Sequence, residues 1–180
     1  MASSTKNSIS VSIIGGSGYT GAELMRIVSR HPHFKLVQVV ANRNAGKKIQ
    51  DIFPHLRHLN LPDFISFEKM IFEGLDLIFC ALPHATSQEI IVKIPEGIKI
   101  IDLSADFRLE RVEEYERWYG QKHIAPSLQE KSVYGLTEIY KEKIKKGSLI
   151  ACTGCNSAAT LYPVLPLLNE GVINEDNLII

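Results

Sequence analysis

Short apolar runs alternate with stretches of helical spacing along most of the chain. The runs at residues 9–14, 35–41, 75–82, 99–103 and 148–151 are rich in Ile, Val and Leu, as strands buried on both faces are. Between the first two, residues 22–28 combine strong helix formers with apolar positions at helical spacing, and His31-Pro32 closes that helix. A second helix is predicted over 86–93, its start capped by Thr86 or Ser87. Residues 42–62, rich in Lys, Asn, His and Pro, read as a loop over the surface, and the polar insert 110–130 carries a helix through Tyr115 and Trp118. Residues 158–168 are helical in pattern, although Pro163 and Pro166 should kink or divide them. Residues 177–180 read as the entry to a further strand, which places the end of the chain inside a second domain. Strands alternating with helices in this order predict an α/β fold around a doubly wound parallel sheet.

Composition narrows the function classes. Twenty basic side chains balance 20 acidic ones, so no broad positive field exists for a phosphate backbone, and nucleic acid is not an expected partner. Hydrophobic residues at 45% and charged ones at 22% are ordinary for a globular enzyme, which argues against disorder or a fibrous repeat. Residues 1–8 are polar and read as a frayed tail rather than a signal peptide. With no apolar run of about 20 residues and three cysteines, an odd number, the expectation is a cytoplasmic protein without membrane spans or disulfides.

The first candidate site is the loop Gly15-Gly16-Ser17-Gly18-Tyr19-Thr20-Gly21. It meets the dinucleotide fingerprint in both registers and stands between a strand and a helix, with a second strand following. The leading glycines allow a tight turn, Gly18 lets the main chain approach a pyrophosphate, and Gly21 lets helix pack on strand. This is a Rossmann-type unit, and the boundaries read as an NADP-binding domain over 9–151. NAD-specific loops place a carboxylate at the end of the second strand to accept from the ribose. Here Asn42, Arg43 and Asn44 occupy that place, and a guanidinium suits a 2′-phosphate. The expected cofactor is therefore NADP, with a solvated loop arginine as the plainer account of Arg43.

The second candidate site is Cys152-Thr153-Gly154-Cys155-Asn156-Ser157, between a strand and a helix predicted to begin near Ser157. A thiol at a helix amino terminus is shifted toward thiolate by free N–H groups, and those groups with Asn156 suit an oxyanion. Other readings stay open: a redox pair of Cys152 and Cys155, or small buried hydrophobes, which best describes Cys80 and also fits Cys152. A zinc site lacks a second ligand pair, so no metal is expected.

Taken together the chain resembles the N-acetyl-gamma-glutamyl-phosphate reductase family of arginine biosynthesis. The resemblance runs from Ile13 onward. It rests on residues 18–24, His31-Pro32, Ala45-Gly46-Lys47, residues 53–56, Ala81-Leu82-Pro83-His84, the Ile101-Asp102-Leu103-Ser104-Ala105-Asp106-Phe107-Arg108 run, residues 133–136 and Gly154-Cys155. It implies an NADPH-dependent, phosphate-releasing reduction of an acyl phosphate to a semialdehyde through a thioester on Cys155, by a homo-oligomer. It further implies that Ser17, Gly18, Tyr19 and Thr20 hold the pyrophosphate and Asn42, Arg43 and Asn44 the adenosine phosphate. Pro83 and His84 then lie near the nicotinamide, and Arg108 grips an anionic part of the substrate, unless it pairs with Asp102 or Asp106.

The family writes Asn-Pro-Gly-Cys-Tyr-Pro-Thr around its nucleophile, and this chain does not. Gly-Cys-Asn is closer to related reductases of carrier-linked 2-aminoadipyl or glutamyl phosphates, the alternative substrate class. A non-catalytic NADP sensor is the alternative of a different kind. Residues 152–180 read as the incomplete start of an α+β catalytic domain, with the family's acid/base histidine expected beyond residue 180. His31, His33, His55, His58 and His123 read as surface or loop residues, leaving His84 the exception by position. Residues 1–180 alone are expected to bind NADP and reduce nothing.

Overall fold

The computed structural model describes residues 8–179. Strand β1 (Ile9–Ile14) is followed by helix α1 (Tyr19–Val28) and strand β2 (Phe34–Val40), the unit read from the sequence. Helix α2 (Ile49–Ile52) and strand β3 (Phe64–Ile65) come next, then β4 (Leu77–Cys80), α3 (Thr86–Ile91) and β5 (Lys99–Asp102). The second half adds α4 (Val112–Tyr119), α5 (Pro126–Lys131), β6 (Ser132–Gly135), α6 (Thr137–Lys146), β7 (Leu149–Cys152) and α7 (Cys155–Asn169). No helix among the described residues is long and apolar enough to cross a membrane.

The seven strands form one sheet in the order β3-β2-β1-β4-β5-β7-β6, and every pairing is parallel. The chain winds outward from β1 through β2 to β3, then returns to place β4 on the other side of β1. A parallel sheet buries both faces, and β1 shows it: Val11, Ser12, Ile13 and Ile14 are all buried. Ser12 satisfies its hydroxyl by donating to the Gln38 carbonyl at 3.2 Å. Helix α1 buries Gly21, Ala22, Met25 and Val28, the stripe its spacing sets; Ala22 and Met25 cluster with Ile13 and Val39, and Val28 with Val11 and Leu77. Fully burying a side chain such as Met25 is worth about 1.5–3 kcal/mol.

Several elements differ from their sequence reading. Residues 42–62 hold α2 and two 3-10 turns, and bury Ile49 and Leu56 beneath them, so the segment is part of the core rather than a surface excursion. Helix α7 begins at Cys155, not near Ser157, and runs through Pro163 and Pro166 as one helix. A proline removes one N–H and crowds the preceding turn. No residue of α7 is buried, so water can serve the carbonyls left over. Residues 175–177 make a 3-10 turn rather than leading into a strand, and Ile180, like residues 1–7 of the expected tail, lies outside the described residues.

Candidate active site

The sheet's winding reverses between β1 and β4, and the crevice outside the carboxyl ends of the strands at such a switch point is where sheets of this kind bind ligands. Gly15 and Gly16 both donate to the Val40 carbonyl, at 3.0 and 2.9 Å, and Ala81 donates to Ile14 at 2.8 Å. The loop is thereby seamed to strands on both sides of β1. Gly15 has φ +86°, and a Cβ there would stand 2.3 Å from the Ala81 oxygen. A Cβ on Gly21 would meet the Gly15 oxygen and Gly16 Cα at 2.6 Å, so helix and loop touch through bare backbone. Gly18 is different: its Cβ would meet only the Gly15 oxygen, at 3.9 Å, and otherwise open space.

Ser17, Gly18, Tyr19 and Thr20 are exposed on that open side, and no side chain caps α1. The N–H groups of Tyr19, Thr20 and Gly21 precede the first helical bond, made by Ala22 to Gly18 at 2.9 Å. Unpartnered N–H groups and the helix dipole fit a pyrophosphate. After β2, residues Asn42–Asn44 form a 3-10 turn. Asn42 accepts from the Phe67 amide at 2.9 Å, and Asn44 accepts from Lys47 Nζ at 3.2 Å, so both amides shape the turn. Arg43 is exposed and pairs with no side chain among the described residues. These groups fit a dinucleotide bearing a 2′-phosphate.

On the other side of the crevice, Pro83 and His84 are exposed at the end of the loop after β4. Neither Thr86 nor Ser87 caps α3. The N-cap is Ala85, and the side chain serving the helix start is Asp106, which accepts from the amides of Ala85 at 2.6 Å and Gln88 at 3.1 Å. Ser87 instead donates to Asp102 at 2.7 Å. Asp102 is buried with no cation paired to it among the described residues, and desolvation raises its pKa against hydrogen bonds from Ser104 and Ser87 that lower it. Tyr115 donates to Asp106 at 3.1 Å, and burial beside that carboxylate pushes its phenol up to about 12.

Cys155 is exposed as the first residue of α7, and its Sγ lies 3.9 Å from Asn156 Oδ1. Arg108 Nε donates to the Cys152 carbonyl at 2.7 Å and Nη2 to Leu103 at 3.0 Å, so the guanidinium bridges the ends of β5 and β7. The ion pair weighed for it with Asp102 or Asp106 is not formed. Tyr134 at the end of β6 hydrogen-bonds Thr153 at 2.7 Å, a second tie on the same loop. Arg108, Tyr134, Lys143 and Ser157 line a cavity of about 720 Å³. The loops after β1 and β7 are three strand spacings apart in the sheet, roughly 14 Å at about 4.8 Å each.

Cys80 is fully buried, and Cys152 is half-buried with its thiol pushed up to about 11, chiefly by desolvation. His123 lies in the loop between α4 and α5, as read, but is buried rather than at the surface: Nδ1 accepts from the Ala125 amide and Nε2 donates to the Asp106 carbonyl. The sequence offers Asp106 only as an ion-pair partner for Arg108 and Tyr134 only as part of the 133–136 segment, and assigns neither a place in the site. Among the described residues no three His, Cys, Asp or Glu side chains are placed to hold a metal ion.

The family model for the semialdehyde dehydrogenase NAD-binding domain matches residues 10–147. An N-acetyl-gamma-glutamyl-phosphate reductase of Rhodobacter capsulatus is 51% identical over 94% of this chain and 50% of its own length. A probable chloroplastic one of Arabidopsis thaliana is 48% identical over 96% and 43%. The chain thus spans about half the length of the curated relatives it matches. Among solved structures, aspartate semialdehyde dehydrogenase with NADP from Candida albicans superposes with TM-score 0.63 at 18% identity, covering 91% of this chain and 47% of that one, a likeness of fold.

Proposed function

The chain belongs to the semialdehyde dehydrogenase NAD-binding domain family, and from that premise we propose that it is the nucleotide half of an NADPH-dependent N-acetyl-gamma-glutamyl-phosphate reductase. The observation that carries the reading is an exposed Cys155 opening the 15-residue helix that follows β7, a strand of the same sheet as β1 and its glycine loop. The names of the relatives at 48–51% identity support the substrate over the carrier-linked alternative.

Gly18 to Thr20 bind the pyrophosphate through α1's amino terminus, and Arg43 binds the 2′-phosphate. When bound, NADPH supplies the hydride that reduces the thioester to the aldehyde level. The Cys155 thiolate attacks the acyl carbonyl, the carbon–oxygen bond to phosphate breaks with its electron pair, and inorganic phosphate leaves a thioester on Sγ. The free N–H groups of α7 and the Asn156 amide stabilise the oxyanion of that addition. Arg108 Nη1 makes no hydrogen bond among the described residues and, with Lys143 on the cavity wall, suits the departing phosphate. Residues 152–180 open the catalytic domain. In support, α7 carries Leu161, Val164, Leu165 and Leu168 yet buries none of them.

The test is phosphate-dependent reduction of NADP by the whole protein supplied with N-acetylglutamate semialdehyde, followed through iodoacetamide treatment. Alkylation of Cys155 at neutral pH, ahead of Cys152 and Cys80, should remove turnover in step. Turnover that survives full modification of Cys155, or that needs no phosphate, overturns the reading.

A further inference from the structure

Ala85 has φ +66° and ψ −33°, and among the described residues it is the one non-glycine residue with positive φ. Such a backbone persists only where its surroundings over-determine it, and these outliers gather at functional sites. The constraint here is Asp106. One carboxylate oxygen takes the Ala85 amide at 2.6 Å and the other the Gln88 amide at 3.1 Å, so a single side chain grips the turn directly after Pro83 and His84.

Asp106 is itself held from every side. It is fully buried, Tyr115 donates to its Oδ1, its amide donates to Ser104 Oγ at 3.1 Å, and its carbonyl takes the His123 Nε2 proton at 2.9 Å. Gln88 closes the ring, donating to Tyr115 at 2.8 Å and accepting from the Ile124 amide at 2.8 Å. Two residues further on, Arg108 holds the Cys152 carbonyl. The five residues 104–108 therefore tie the Pro83–His84 turn on one side to the Cys155 loop on the other.

We infer that Asp106 is a positioning residue: by clamping the strained Ala85 turn it holds Pro83 and His84 against the nicotinamide side of the crevice, in register with Cys155. The role rests on NADPH being the ligand of that crevice, and the adenosine end of the same ligand supplies an internal control. Asp106→Asn replaces one acceptor with a donor, so one of the two amides loses its partner and faces another N–H. Affinity for NADPH should fall roughly tenfold or more, while affinity for adenosine 2′,5′-bisphosphate, which reaches only the glycine loop and Arg43, stays unchanged. Ala85→Gly in the same chain should restore most of the NADPH affinity, because glycine needs no clamp to hold a positive φ.

Both affinities are read by titration on the purified protein, with thermal melts alongside. Equal losses for the two ligands, or no recovery from the glycine, overturn the inference and leave the cofactor reading standing. A wild-type protein that binds neither compound overturns both. Should Asp106→Asn alone unfold below assay temperature, the double variant decides: NADPH binding near wild type supports the clamp, and bisphosphate binding without NADPH binding refutes it.

Discussion

Arg108 donates through Nε to the main-chain oxygen of Cys152 at 2.7 Å, and that carbonyl lies three residues before the exposed thiol of Cys155. The side chain read from the sequence as an anion grip is, in the structure, a strut for the Cys155 loop. A planar guanidinium has donors enough for both duties, fixed in a fork.

Arg108→Lys should separate these duties. An ammonium is a point charge that retains attraction for phosphate but cannot span Cys152 and Leu103 together. One carbonyl is then left without its donor, at about 1–3 kcal/mol of stability by urea denaturation. Misplacement of the thiol should lower kcat/KM by about 100-fold, with KM for the acyl phosphate changing far less than kcat.

Arg43→Glu should discriminate between nucleotides. Replacing a charge-assisted contact with a repelling carboxylate costs about 2 kcal/mol or more, so the Kd for NADPH should rise about 30-fold or more while that for NADH moves little. Fluorescence titration at low and at physiological salt checks it, since the difference should shrink as salt screens the exposed pair.

Two glycines in one loop should fail in different ways. Gly21→Ala forces a Cβ to within 2.6 Å of backbone atoms of Gly15 and Gly16, and overpacking of that kind costs about 1–3 kcal/mol. Gly18→Ala meets nothing closer than 3.9 Å in the protein, so its melting temperature should hold while NADPH affinity falls. If Gly18→Ala binds NADPH as tightly as wild type, the open side of the loop is not the pyrophosphate site.

The buried titratable groups set opposing pH trends. Burial lowers the His123 pKa below 6.5, so its folded site favours the neutral ring. Its stabilising contribution is complete above pH 6.5 and is lost as pH falls through the lowered value. Asp102 runs the other way: its folded pKa is raised above 3.8, so stability declines as pH rises from there through the raised value. His123→Gln should flatten the acid limb below pH 6.5 in urea titrations, and Asp102→Asn should flatten the opposing slope above pH 3.8.

The β1-α1-β2 unit was legible because its signals are local: an apolar run, glycines, a helical stripe, a second run. Strand β3 is two residues long, and β6 reads Ser-Val-Tyr-Gly, so both owe their assignment to pairing with β2 and β7. Helix α6 buries no residue, and its few apolar positions, Ile139, Tyr140 and Ile144, stand among charged ones, so the sequence marks no core-facing side there. The site divides in the same way. The glycine loop and Cys155 announce themselves by type and spacing, whereas Asp106 acquires its role from an amide 21 residues away and His123 its burial from a carbonyl 17 residues away.

The seam between β1 and β4 also sets an order of events as the protein folds. Ile9 meets Phe34 early in the chain, but β1 reaches β4 only across a span such as the 66 positions from Ser10 to Asp76. Pairings between distant segments are slow to form. During synthesis the glycine loop can therefore be shaped well before the crevice beside it exists. A nucleotide that needs both walls arrives last, and its binding acts on the closing of that seam, slowing the molecule's unfolding rather than speeding its first collapse.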